Sequence, residues 1–280
     1  MNNKVQYSRH NEARRIFKKI DTNPQNYLII HYSCESFYDI KDGHTPRITS
    51  IAVYDYATAQ TESFSIHKMA EKEHIKIDDI EHHYDELEKA MLDEFFEFAK
   101  EHKTYFWIHW NMRDINYGFK AIEHRYSVLG GNPYKIPDSN KIDLARQLIN
   151  CYGAGYAEHP RMEKLLELND IKAKDYLNGQ QEADAFEKHE YVKLHMSTLR
   201  KVDVFANILN RAINSTLKVN SKWTEIYGVS KVNSKWTEIY GVSVQGILNF
   251  CKDAWWIQLI WTIISMVLGA VIGEIVGKIL

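Results

Sequence analysis

The sequence predicts an α/β domain built on one mixed sheet, followed by a single C-terminal transmembrane helix. Three observations lead there. Three short β-favouring runs precede a long amphipathic pattern at 87–98, a fourth apolar run then opens a series of helical patterns, and residues 254–273 carry no charge. Strands and helices in that order pack as layers, with helices against a sheet. Residues 25–217 suffice for one sizeable core. A net charge of −2 gives no strong field for a polyanion.

Residues 1–24 read as an amphipathic helix, with Arg9, Arg14, Arg15, Lys18 and Lys19 around Ile16, Phe17 and Ile20. A solvated basic face is the expectation, and contact with anionic lipid or nucleic acid the alternative. Residues 27–32, 47–56 and 61–67 are β-favouring runs, separated by turns at 39–46 and 56–60, and are expected to form three antiparallel strands. Leu87, Met91, Phe95 and Phe98 then recur on one face of a helix whose other face is Glu and Lys. Residues 104–110 read as a buried strand and 114–129 as a helix. Further helical segments are expected at 142–150, 161–168, 181–194 and 198–217.

Acidic residues fall at the ends of these elements. Glu35 follows the first strand in Ile29-Ile30-His31-Tyr32-Ser33-Cys34-Glu35, and Asp114 follows the fourth in His109-Trp110-Asn111-Met112-Arg113-Asp114. A further acid, Asp203 or Asp184, comes from a late helix. Over residues 27–209 this series resembles the DEDD 3′–5′ exonucleases of the ribonuclease H-like superfamily. In that family a first strand ends in Asp-x-Glu, a fourth leads to a motif of the His-Asn-x-x-x-Asp kind, and a late helix supplies the last Asp. Ile142-Asp143-Leu144 and Leu165-Leu166-Glu167-Leu168 are similar to two further family segments. The resemblance implies a ribonuclease H-like mixed sheet flanked by helices, and metal-dependent hydrolysis of DNA or RNA. It also implies Mg²⁺ or Mn²⁺ on Glu35, Asp114 and Asp203, with Asp184 as the other choice of catalytic acid. Such sites need converging carboxylates because two divalent ions activate the water and stabilise the leaving oxygen. The chain departs from this pattern in two places. Ser33 stands where the family has its first Asp, and the residues five before Asp203 and Asp184 are Thr198 and Gly179, neither of them a general base.

Residues 218–230 read KVNSKWTEIYGVS, and residues 231–243 repeat them without a difference. Identity at every position indicates a tandem duplication within a connector that tolerates insertion. Trp223, Tyr227, Trp236 and Tyr240 are expected at a membrane surface.

Residues 244–280 are read as the anchor. The uncharged run is roughly 30 Å long as a helix, which matches a bilayer core, and Trp255, Trp256 and Trp261 cluster near one end. Ser265, Gly269, Gly273 and Gly277 recur every fourth residue as a small-residue stripe, so homo-oligomerisation in lipid is expected. No apolar segment precedes the anchor, which leads to the expectation of a tail-anchored, single-pass protein with a cytoplasmic body. Three widely spaced cysteines agree with a reducing compartment. Two functions are weighed. One is a membrane-tethered nuclease, in defence against foreign nucleic acid. The other is a catalytically inactive nuclease-fold sensor whose glycine-striped helix is a membrane effector.

Overall fold

The structure, a computed structural model, describes residues 3–35 and 45–227, together with residues 260, 262, 264 and 265. Helix α1 (Asn3–Thr22) leads into strand β1 (Tyr27–Cys34), followed by β2 (Ile48–Asp55) and β3 (Thr61–Ser65). Helices α2 (Ile66–Lys72) and α3 (Tyr84–Glu101) come next, then β4 (Phe106–His109), α4 (Phe119–Val128), β5 (Lys141–Asp143) and α5 (Leu144–Tyr152). The remainder is helical: α6 (Arg161–Leu168), α7 (Gly179–Glu187), α8 (Tyr191–Ile213) and the short α9 (Trp223–Tyr227).

These elements form the expected mixed sheet with flanking helices. Strand order is β3-β2-β1-β4-β5. The β1–β2 and β2–β3 pairs are antiparallel, whereas β4 and β5 run parallel to β1. β1 is buried along almost its whole length because both of its faces are covered. Successive side chains alternate between faces, so Leu28, Ile30 and Tyr32 join a core with Leu87, Met91, Phe95 and Trp107. Ile29 joins a second core with Phe17, Leu148, Leu165, Phe205 and Leu209. Ser33 shares the parity of Ile29 and therefore faces α8.

Three local departures from the sequence reading have physical causes. The helix expected from residue 114 begins at Phe119, because Gly118 takes a backbone conformation (φ 157°) that an L side chain rarely adopts. A Cβ there would lie 2.6 Å from the Met112 carbonyl oxygen. The helix expected over 181–194 is divided, with His189 at φ 55° between α7 and α8. β5 carries no periodic signal in the sequence, since three residues cannot display a period. Asp143 ends that strand and caps α5 by accepting from the Arg146 amide at 3.3 Å.

Among the described residues, no helix is long and apolar enough to cross a membrane. Gly269, Gly273 and Gly277 lie outside the described residues, as does most of the uncharged run. Ser265 is described, as one residue of a helix.

Candidate functional site

In an open α/β sheet, ligands are received beyond the carboxyl ends of the parallel strands. Here that edge presents Ser33 and Glu35 from β1, His109 from β4 and Asp143 from β5. α8 crosses beneath it with a buried stripe of Leu194, Thr198, Lys201 and Phe205, at the three- and four-residue spacing of one helix face.

A chain of hydroxyl groups joins these elements. Ser50 Oγ lies 2.6 Å from Thr198 Oγ1, Thr198 Oγ1 lies 2.8 Å from Ser33 Oγ, and Ser33 Oγ lies 3.1 Å from Glu182 Oε1. Each hydroxyl has one proton to give. Ser33 donates to Glu182 and Thr198 donates to the Leu194 carbonyl at 2.9 Å, so Thr198 accepts from Ser50, and its close approach to Ser33 competes for a proton already engaged. Glu182 Oε1 also accepts from Ser197 Oγ at 3.0 Å and pairs with Lys201 Nζ at 2.7 Å. Lys201 is 7% exposed and Ser33 fully buried. The centre of this site is therefore an ammonium–carboxylate pair ringed by hydroxyls.

Glu35 lies beside this centre with a different partner. Its Oε2 is 3.4 Å from Arg47 Nε, and Arg47 Nη1 reaches Glu81 at 2.6 Å while the guanidinium lies over Tyr84 and Phe186. The fields of Glu182 and Glu35, together with burial as the larger cause, raise the Cys34 thiol well above its usual range. Burial, with Lys201 second, holds His31 well below the ordinary histidine value. Both groups are accordingly neutral at pH 7.

The other acids inferred from sequence are not brought to this centre. Asp114 is exposed and accepts the Asn116 amide at 2.8 Å within its own loop. Where that loop meets β1, the contacts come from Tyr117, stacked on Tyr32 with centroids 4.7 Å apart, and from the Gly118 amide on Tyr32 Oη at 2.9 Å. Neither residue offers a carboxylate. Asp203 is five residues past Thr198, which places it roughly 140° around the helix. It is exposed and pairs with Arg200 at 3.3 Å. Asp184 lies on the outer face of α7 and accepts from Gln180 at 2.9 Å. Glu182, two residues earlier and so on the opposite side of α7, is the acid that turns inward.

Sequence reasoning missed Glu182 and Lys201. Their signal lay in the helical period: Lys201 falls in step with Leu194, Thr198 and Phe205, whereas Asp203 does not.

A cavity of about 460 Å³ opens on the other face of β1, lined by Tyr32, Cys34, Ile48, Asn116, Lys120 and His124 among others, and shares no lining residue with this centre. Its wall is mostly apolar, with cationic or ionisable groups from the outer face of α4.

Residues 16–183 match the model of the DNA polymerase family B exonuclease domain, more than half of the chain. The chain belongs to this family. The matched region spans β1 to β5 and reaches into α7, so it contains Ser33, Glu35, Asp114 and Glu182. Comparison with curated proteins and with solved structures found no match. Membership supports a nuclease-type function and nucleic acid as the substrate class. Exonuclease domains of this family normally use divalent metals.

The residues at this edge do not fit such a pair of metals. Mg²⁺ and Mn²⁺ require several oxygen donors, carboxylates foremost. Ser33 contributes no charge, Glu182 is neutralised by Lys201, Glu35 is paired with Arg47 and Asp143 with Arg113. Among the described residues, no three His, Cys, Asp or Glu side chains are grouped to hold a metal. The Mg²⁺ or Mn²⁺ assignment to Glu35, Asp114 and Asp203 therefore lacks a common locus.

Proposed function

We infer that this chain uses the exonuclease fold to hold a single-stranded nucleic-acid end without two-metal hydrolysis, as the sensing body of a membrane-anchored effector. The observation that carries this reading is the Lys201–Glu182 pair, seated beside Ser33 at the end of β1. An ammonium there supplies the positive charge that a buried carboxylate requires, and it cannot activate water as a bound metal does. The cavity beside Cys34 on the other face of β1 suits an unpaired base, with Ile115 and Ala121 in its wall and Lys120 positioned for a phosphate.

In this reading the uncharged run 254–273 inserts into a membrane and the Ser265, Gly269, Gly273 and Gly277 stripe assembles copies of the chain, with the body in the cytoplasm. Ligand occupancy in the body and assembly in the membrane are then the two ends of one device. Detection of foreign nucleic acid in a defence role is the context in which such a coupling is useful.

A second reading, a catalytically active nuclease, is favoured by family membership and by Glu35, which the resemblance of the first-strand motif assigns as an acid of the site. One experiment separates the two. The full chain in lipid vesicles is incubated with labelled single-stranded DNA and RNA, in EDTA or in Mn²⁺, alongside Glu35→Ala and Lys120→Glu. Retention of uncut strands in EDTA, weakened about tenfold or more by Lys120→Glu, is expected. Mn²⁺-dependent cleavage that Glu35→Ala abolishes would establish the nuclease instead.

A further inference from the structure

The first copy of the duplicated segment is not a bare connector: residues 218–227 are docked on the body. The Lys218 amide donates to Asn169 Oδ1 at 2.8 Å, and Asn169 Nδ2 donates to the Lys218 carbonyl at 3.0 Å. Asn169 is 1% exposed, so this reciprocal pair is shielded from water. The Asn220 amide donates to the Tyr156 carbonyl at 2.9 Å. Val219 and Ile226 pack on the core shared with α1, α5 and α8. The Tyr227 ring lies 5.2 Å from that of His10 on α1. Gly153 and Gly155 form the floor, where an added Cβ would come within 3.4 and 3.5 Å of Glu225. Trp223 and Tyr227, expected at a lipid surface, thus lie against α1 and α5.

Each of these docked residues has an identical counterpart thirteen positions later in the sequence. Lys231, Val232, Asn233, Glu238, Ile239 and Tyr240 repeat Lys218, Val219, Asn220, Glu225, Ile226 and Tyr227. A surface that selects its occupant by side-chain chemistry and main-chain hydrogen bonds has no means of telling the two copies apart.

We propose that this dock on α1, α5 and the 153–156 turn accepts residues 231–243 of the same chain in place of residues 218–230. The body is thereby held to the C-terminal segment by a tether of two alternative lengths. The copies differ only in connection to the body. Docking the second leaves thirteen extra residues to be closed as a loop after Leu217, a bias of about 50-fold toward the first copy from the (3/2)ln n dependence. Exchange removes thirteen residues from the stretch between the dock and residue 254, which shortens its greatest reach by roughly 45 Å. A preference of that size is within range of a modest pull or of any ligand that favours one arrangement.

Deletion is uninformative, because removing either copy gives the same protein. Point variants of the full chain in lipid vesicles separate the copies. In a Cys151→Ser chain, chosen because Cys151 Sγ lies 3.8 Å from His10 Nδ1, His10→Cys on α1 is combined with Tyr240→Cys, and disulfide trapping is read by mass mapping of the linked peptides. The pair is placed in three backgrounds: the natural first copy, a first copy carrying Ile226→Asp with Tyr227→Ala, and both copies disabled by adding Ile239→Asp. The expected result is an intramolecular crosslink of a few per cent in the first background, rising on the order of tenfold or more in the second and vanishing in the third. Urea midpoints should follow, with a small drop on disabling one copy and a larger one on disabling both. If the first-copy variant does not fold, the natural background alone decides, since adding Ile239→Asp there should abolish the minor crosslink. Crosslinking absent from both of the first two backgrounds, or found only at the mass of a dimer, would overturn the proposal.

Discussion

Arg125–Glu88 and Lys201–Glu182 are both cation–carboxylate pairs taken out of water on the two sides of the sheet, and they use their charges differently. Arg125 engages Glu88 with Nε at 3.1 and 3.0 Å from its two oxygens and with Nη2 at 2.5 Å, and Glu88 also accepts the Ile48 amide at 2.7 Å. Both carboxylate oxygens are engaged, so the pair locks α3, α4 and β2 together. Lys201 instead meets one oxygen of Glu182, which also receives Ser33 and Ser197. Its side chain is 9% exposed and that of Glu182 14%, against 6% and 0% for Arg125 and Glu88. The contrast teaches that a buried carboxylate by itself does not mark a metal centre. What surrounds the second oxygen and the opposite charge decides whether the pair is framework or site.

The comparison is tested most strongly at Arg125. Arg125→Ala leaves Glu88 enclosed without its counter-charge, and should cost about 3–5 kcal/mol in urea unfolding. A loss below about 1 kcal/mol would show that the site takes up water and that the pair is no lock. Lys201→Met should cost less, about 1–3 kcal/mol, because two hydroxyls still serve Glu182. Adding Glu182→Gln should recover most of that loss, giving a coupling above about 1 kcal/mol in a double-mutant cycle. Additive losses would mean the two groups do not act as a pair.

A pH measurement sharpens the same contrast, since His31 lies by Lys201. Burial first and Lys201 second depress the His31 pKa in the folded state. The unfolded chain therefore binds a proton that the folded chain refuses once pH drops below about 6.5. Stability contributed by neutral His31 is present above that value and falls by about 1.4 kcal/mol per pH unit below it. Lys201→Met removes one of the two causes, so the His31 resonance should titrate at higher pH, and the acid-side loss, which still sets in below about 6.5, should be smaller and level off at higher pH. An unchanged titration would separate Lys201 from His31 electrically. The smallest effects are expected at the exposed acids. Asp114→Ala, Asp184→Ala and Asp203→Ala should each stay within about 0.5 kcal/mol of the parent and leave strand retention unaltered. A marked loss of function at any of them would return that acid to the site.

Much of the fold was legible because its signals are local. Leu87, Met91, Phe95 and Phe98 show a helical period, and the apolar run at β1 announces a strand covered on both faces. The site was only half legible. Ser33 and Glu35 could be read because they adjoin a strong strand signal, and Ser33 already indicated a missing ligand. Choosing among late acids failed because proximity in sequence says nothing about which side of a helix faces the sheet.

The sequence by itself determined the order of the first four strands and the longer helices, the uncharged C-terminal run and the exact duplication of residues 218–230, since each is a property of neighbours along the chain. Only the tertiary structure decided that Lys201 meets Glu182 beneath Ser33, that Asp114 and Asp203 face solvent, and that the first copy of the repeat rests on α1 and α5. Those outcomes depend on helix rotation and packing across more than a hundred residues, where no local period carries the information.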